Sequence, residues 1–155
     1  MSGDIEARIR RLEDIEEIKQ LQAKYAYFID MLQPEEVVKL MVKDVKAEYG
    51  LWGSYQGTDG FLTFLKNIIP VSPMMRHEIF MPLIEVKGDK AKGTWYLFGP
   101  FTALRPEGKV AVWIQGKYEN EYVKVDGEWK FSHIRFTPSL YSPYEDGWVK
   151  TPFME

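Results

Sequence analysis

The chain has 155 residues, a formal net charge of −3 and no cysteine, which favours a single domain and excludes thiol nucleophiles, disulfides and thiolate metal sites. Acidic and basic residues are mixed along the sequence, so no cationic stripe predicts nucleic acid as a partner. No run of about 20 apolar residues predicts a membrane span, and the charged start lacks a signal-peptide hydrophobic region, so we expect a cytoplasmic protein.

The first elements are predicted to be helical. Apolar residues recur at steps of three and four between Ile5 and Leu32, which predicts an amphipathic segment that is either one helix or two helices with a break near Asp14. Pro34 followed by two glutamates predicts a second helix over about 34 to 43, since proline suits the first turn and acidic side chains suit the positive end of the helix dipole.

Two shorter elements follow. The stretch DVKAEYGLWG predicts a strand from Val45 to Tyr49 that is closed by glycines. The stretch GTDGFLTFLKNII predicts a third helix, which is capped by Thr58 or Asp59 and ends before Pro70.

The second half of the chain is predicted to be a sheet. Long β-rich runs are separated by KGDK, RPEG and VDGE, which are hairpin turn signals, so four long antiparallel strands are expected. Helices followed by an antiparallel sheet give an α+β fold, and a strongly curved sheet wrapped around a long helix leaves a cavity. We expect one domain over residues 1–155, with residues 138–155 an irregular but docked tail.

One histidine at the start of the predicted sheet is a candidate for chemistry. Strand alternation puts His77, Ile79 and Met81 on one face, so the imidazole has apolar neighbours and needs a partner for its ring N–H. Asp30 in the helical layer is the obvious candidate. Tyr25 and Asp30 are about 140° apart on a helix, so the spacing alone also allows a solvated Asp30 and a core Tyr25.

Several stretches together resemble a known family. They are DIEEIKQLQAKYAYFIDML, VKAEYGLWGSYQG, RHEIFMPLIEVKGDKAKGTWYLFG and YENEYVKVDGEWKFSHIRF. Their order and spacing over about residues 12 to 137 resemble the SnoaL-like branch of the nuclear-transport-factor-2-like superfamily, which includes scytalone dehydratase and bile acid 7α-dehydratase. The resemblance implies a cone-shaped α+β barrel, with a curved antiparallel sheet around the N-terminal helices (cystatin-like), a deep pocket and a dimer or trimer.

The same resemblance implies an active site. Tyr25 and Asp30 match the family's helical Tyr and Asp, Tyr49 matches its strand Tyr, and His77 matches its histidine. The chain also departs from the family at two places. Met81 stands where an Asn is frequent.

The second departure concerns a further acid or base. The dehydratases of the family carry an Asp or His near the stretch WYLFG, where this chain has Phe98 and Gly99. The resemblance therefore implies a site that lacks one of the family's proton-transferring side chains.

An arginine near the end of the sheet is a candidate for binding an anionic substrate group. Alternation in WKFSHIRF puts Trp129, Phe131, His133 and Arg135 on one face. The planar guanidinium of Arg135 suits a carboxylate or phosphate, although His133 and Arg135 facing solvent or a subunit interface is an equal alternative.

Three tryptophans on or beside strands are candidate pocket residues. Trp52, Trp95 and Trp113 are each expected either to contact substrate or to belong to the core or sheet surface. We expect no metal, because no His and carboxylate spacing supplies three ligands, and no nucleotide cofactor, because no phosphate loop is present.

The predicted function is a cofactor-independent lyase or isomerase of the dehydratase type, acting on a small hydrophobic, cyclic, hydroxylated carbonyl compound. In this hypothesis His77 is the base or acid, Asp30 orients it, and Tyr25 and Tyr49 donate hydrogen bonds to the substrate oxygen. A non-catalytic ligand-binding protein and a polyketide-type cyclase remain alternatives. A homo-oligomer is expected, since an open curved sheet leaves an edge and apolar surface to cover.

Overall fold

The computed structural model describes residues 2–154. The helices are α1 (Ser2–Asp30), α2 (Pro34–Lys39), α3 (Gly57–Val71) and α4 (Gly147–Lys150), and the strands are β1 (Met41–Glu48), β2 (Ser54–Gln56), β3 (Glu78–Lys87), β4 (Lys90–Arg105), β5 (Gly108–Val125) and β6 (Glu128–Pro143). In this range no helix is long and apolar enough to span a bilayer.

The strands form one open sheet in the order β2-β1-β6-β5-β4-β3. Strands β3 to β6 are an antiparallel meander, as the three turn signals predict, and α1 packs on the concave side through buried residues such as Ile18 and Tyr25. The predicted α+β cone fold is confirmed. The sequence did not indicate that β1 pairs with β6 in parallel or that the short β2 continues the sheet beyond it.

Helix α1 is continuous, so the alternative of two helices with a break near Asp14 is wrong. The Asp14 carboxylate accepts hydrogen bonds from Lys124 Nζ at 2.6 Å and from Trp129 Nε1 at 2.9 Å. Asp14 therefore interrupts the apolar stripe because it ties the helix to the sheet, not because it ends a helix.

Three predicted helix or strand boundaries differ from those in the structure. Helix α2 ends at Lys39 and β1 begins at Met41, so the predicted helix end at 43 is too late and the predicted strand start at Val45 too late as well. Helix α3 continues through Pro70 to Val71. The Ile68 carbonyl in its last turn accepts a hydrogen bond from the Ser72 N–H at 2.9 Å. Proline loses only its own N–H in this last turn.

A β-bulge at Ser132 changes which face of the sheet each of the following residues occupies. His133 pairs with Glu121, and Phe131 pairs with the next residue of β5, so Ser132 has no partner of its own. The core then receives both Phe131 and Ile134, which are fully buried. The prediction that Phe131, His133 and Arg135 share a face is wrong, because the extra residue shifts the alternation by one.

A second irregularity lies in β3. Met81 has a φ of 58°, and the pairing of β3 with β4 shifts between Phe80 and Leu83. Ile79 packs against the core, whereas Met81 is 65% exposed. The predicted common face of His77, Ile79 and Met81 is therefore wrong for Met81.

The C-terminal segment is more regular than expected at its start. Residues 138–143 belong to β6, and the tail after Pro143 contains the short helix α4. The chain then returns to the same strand, where Tyr141 N–H donates to the Pro152 carbonyl at 2.9 Å and Met154 N–H donates to the Tyr141 carbonyl at 2.7 Å. Met154 also packs against the core.

Candidate active site

A cavity of about 560 Å³ lies between the helices and the concave face of the sheet. This volume lies within the ordinary range of small-molecule sites. The wall is largely apolar, with tyrosines and His77 on one part of it and Arg105 on another. Apolar residues that line it include Ile29, Leu65, Met75, Leu97, Val112 and Ile114.

The structure brings His77 and Asp30 together at the wall of this cavity. Asp30 is the last residue of α1, and His77 directly precedes β3. The His77 Nδ1 atom lies 2.7 Å from Asp30 Oδ1, and the His77 backbone N–H donates to both carboxylate oxygens at 3.2 Å and 3.0 Å. One side chain at a helix end thus fixes both the backbone and the ring of the histidine.

The hydrogen bond to Asp30 also assigns the histidine tautomer. An ionised carboxylate only accepts, so the neutral imidazole carries its proton on Nδ1 and keeps the Nε2 lone pair free. The ring packs edge-on against Phe101, with centroids 5.0 Å apart. His77 therefore presents a proton acceptor beside apolar surface, which is the arrangement that general-base chemistry requires.

Asp30 and Tyr25 use different sides of α1. Tyr25 is fully buried and borders the cavity, whereas Asp30 does not line it and contacts His77, which does. Asp30 borders a second depression of about 490 Å³ between α1 and β3. Within residues 2–154, no three His, Asp or Glu side chains lie close enough together to hold a metal ion.

Three tyrosines line the cavity. The Tyr25 and Tyr49 hydroxyls are hydrogen-bonded to each other, and the Tyr118 ring packs edge-on against Tyr25 with centroids 6.0 Å apart. Burial raises the pKa of all three phenols well above the usual value, so they stay protonated and can donate. Tyr118 was not among the residues predicted from the sequence, although its alternation with Ile114 on β5 places both on the buried face.

The three candidate tryptophans separate in the structure. Trp52 follows β1 in a short 3₁₀ turn and lines the cavity. Trp95 is buried and donates to the Tyr122 hydroxyl at 3.0 Å, at the edge of the second depression. Trp113 stacks on Phe98 with ring centroids 5.1 Å apart, outside the cavity lining. Of the three, only Trp52 lines the cavity.

Arg135 lies away from the cavity, and its predicted substrate-binding position is not observed. Its Nε atom is 2.8 Å from Glu48 Oε2, and His133 Nε2 lies 2.6 Å from the same oxygen. The hydrogen bonds from Arg135 and His133 lower the pKa of Glu48. The bulge at Ser132 explains this placement, because it turns both side chains to the outer face.

The two departures from the family pattern have structural reasons. Met81 is exposed to solvent at the β3 irregularity, so it does not line the cavity. At Gly99, a Cβ atom would lie 1.8 Å from the Arg76 carbonyl oxygen, so the segment that leads into His77 occupies the space of any side chain. His77 and Asp30 are the candidate acid-base pair that remains.

The comparisons with known proteins agree with this fold. The sequence matches the SnoaL-like domain over residues 10–135. A putative scytalone dehydratase from Novosphingobium aromaticivorans is 24% identical, with a TM-score of 0.77 over 86% of this chain and 89% of that one. A hexachlorocyclohexane dehydrochlorinase (LinA Type2) is 25% identical, with a TM-score of 0.80 over 88% and 92%.

A protein of cystatin-like fold from Nostoc punctiforme is 18% identical, with a TM-score of 0.64 over 81% of this chain and 90% of that one. This likeness supports the cystatin-like architecture. The family match covers most of the sequence and includes both Asp30 and His77. The resemblance inferred from the sequence is thus confirmed, and the chain belongs to the SnoaL-like domain family of the nuclear-transport-factor-2-like superfamily.

Proposed function

We propose that the protein is a cofactor-independent lyase that eliminates water from a hydrophobic, cyclic, hydroxylated carbonyl compound. The observation that carries this proposal is the 2.7 Å contact between His77 Nδ1 and Asp30 at the wall of a largely apolar cavity. The neighbouring tyrosine hydroxyls supply donors for a substrate oxygen.

In the proposed reaction, His77 Nε2 removes a proton from the carbon next to the carbonyl. The C–H electron pair becomes the enolate, whose oxygen accepts hydrogen bonds from Tyr25 or Tyr49. The enolate then reforms the carbonyl as the hydroxyl on the adjacent carbon leaves with its bonding pair. The His77 imidazolium protonates that leaving oxygen, so a carbon–carbon double bond and water are formed and the imidazole is neutral again.

Asp30 is a positioning residue in this scheme. It touches His77 and not the cavity, so it orients the ring and stabilises the transient imidazolium. Because Gly99 carries no side chain, the same histidine takes up the proton and returns it. This requires the two reacting positions of the substrate to lie on one side of the ring, within reach of Nε2.

Two structural relatives support elimination as the reaction class. One is described as a putative scytalone dehydratase and the other as a hexachlorocyclohexane dehydrochlorinase. Loss of water and loss of hydrogen chloride both need a base that removes a proton from a carbon next to the leaving group. The fold and these neighbours support a lyase, isomerase or ligand-binding role. The contact between His77 and Asp30 favours a lyase.

The proposal is tested by incubating the protein in D₂O with a panel of cyclic β-hydroxy ketones, followed by proton NMR. We expect loss of the hydroxyl with formation of the conjugated carbon–carbon double bond, and deuterium at the carbon next to the carbonyl of the remaining hydroxy ketone wherever the enolate is reprotonated from solvent before the hydroxyl leaves. Matched ketones without the hydroxyl should exchange that proton but lose nothing. Binding without exchange would instead indicate a ligand-binding protein, and formation of a carbon–carbon bond would indicate a cyclase.

A further inference from the structure

A cationic side chain lies on the cavity wall away from His77 and Asp30. Along β4 the buried residues Leu97, Phe101 and Ala103 face the cavity in alternation, and Arg105 is the next position of the same series. Arg105 is half-buried and is one of the residues that line the cavity. A guanidinium at this place belongs to the binding surface and not to the outer face.

No carboxylate of the described chain neutralises this cation. Among residues 2–154, Arg105 takes part in no ion pair, whereas Arg135 pairs with Glu48. Its polar neighbour is Tyr141, which also lines the cavity. Burial raises the pKa of the Tyr141 hydroxyl, and the positive charge of Arg105 offsets part of that rise.

A partly desolvated guanidinium is stabilised by an anion, and its planar fork matches an oxyanion such as a carboxylate or sulfonate. We propose that Arg105 binds an anionic group of the cavity ligand, with the Tyr141 hydroxyl beside it as a second polar contact. This inference names the substrate class of the proposed elimination, and in that sense it rests on the proposed function. The substrate is then an acidic hydrophobic ring compound.

The two ends of the site also set the shape of the ligand. The His77 ring packs against Phe101, and Arg105 lies four positions further along the same strand, which corresponds to about 13 Å. Apolar side chains fill the wall between them. The ligand should therefore place its reacting carbon near His77, its rings against β4 and its anionic group at the end of β4.

Two fluorescent probes with the same ring skeleton test this inference. The first, 8-anilinonaphthalene-1-sulfonate, carries a sulfonate, and the second, N-phenyl-1-naphthylamine, does not. We expect the wild type to bind the sulfonate probe more tightly than the neutral probe. R105Q should weaken binding of the sulfonate probe about 10-fold or more, as for loss of a hydrogen bond to a charged group, and should change binding of the neutral probe less than about twofold.

Two further variants sharpen the result. R105K keeps the charge but not the fork, so an intermediate sulfonate affinity is expected. K109Q removes a neighbouring charge that does not line the cavity, and it should leave both affinities within about twofold at fixed ionic strength. Unchanged neutral-probe binding also shows that each variant keeps the cavity.

The proposal is overturned if the wild type shows no preference for the sulfonate probe, or if R105Q keeps that preference. Equal weakening of both probes by R105Q would overturn it as well. The assay needs no turnover, so its outcome is independent of the proposed elimination. If R105Q abolishes the sulfonate preference but the wild type turns over no ketone, Arg105 binds the anion and the protein is a ligand-binding protein and not a lyase.

Discussion

H77Q is expected to reduce turnover of an eliminated substrate by about 10²- to 10⁴-fold, the usual contribution of a general acid or base. Glutamine keeps a polar side chain next to Asp30 but cannot remove a carbon-bound proton. Binding of N-phenyl-1-naphthylamine should change by less than about twofold, because the cavity wall is otherwise intact. Turnover is measured by NMR in D₂O, so loss of exchange and loss of elimination are followed together.

H133Q is the matched control. It makes the same replacement at the second histidine, which contacts Glu48 on the outer face and does not line the cavity. We expect its turnover to equal that of the wild type. Full activity in H77Q, or equal losses in H77Q and H133Q, would exclude His77 as the proton-transferring group.

G99A is expected to lower the free energy of unfolding by about 3 kcal/mol, at the upper end of overpacking costs. The new Cβ would lie 1.8 Å from the Arg76 carbonyl oxygen, which is a backbone atom and cannot rotate away. Either β4 or the segment before His77 must move. We therefore expect G99A to weaken the His77 contact with Asp30 and to lower turnover, and urea denaturation measures the stability change.

G60A is the control for G99A. A Cβ at Gly60 meets no atom within 4 Å, and the residue lies in α3, where alanine is the better helix former. We expect G60A to be as stable as the wild type or more stable by up to about 1 kcal/mol. If G99A and G60A have the same stability, the close approach at Gly99 does not restrict the site.

The elements that the sequence predicts well are those with a strong local signal. The apolar period of α1 and the three hairpin turns of the sheet are visible in short stretches, and they determine the α+β order. The apolar surroundings of His77 identify it as the ring that needs a partner. The resemblance to the family then supports Asp30, and the structure brings the two side chains together.

The features that the sequence does not predict depend on contacts between distant segments. The parallel pairing of β1 with β6 has no local signal, and a single extra residue at Ser132 sends Arg135 to the outer face. The αL conformation of Met81 likewise has no signal in a methionine. Arg135 therefore does not line the cavity, and we propose Arg105 for the anion-binding role that was predicted for it.

The two histidines provide the most direct test of the site, because their carboxylate partners favour opposite tautomers. The His77 partner contacts Nδ1, and the His133 partner contacts Nε2. Long-range nitrogen–proton NMR spectra recorded at about pH 9, where an ordinary histidine is neutral, distinguish the two forms. The spectrum of H133Q assigns the remaining signals to His77.

We expect the Nε2–H pattern to disappear in H133Q and His77 to remain in the Nδ1–H form, with an unprotonated Nε2. In D30N the preference should weaken, since an amide can donate as well as accept. A wild-type His77 in the Nε2–H form, or an Nδ1–H preference that is equally strong in D30N, would contradict the proposed pair, because Asp30 would then not hold the ring with its basic nitrogen free for the cavity.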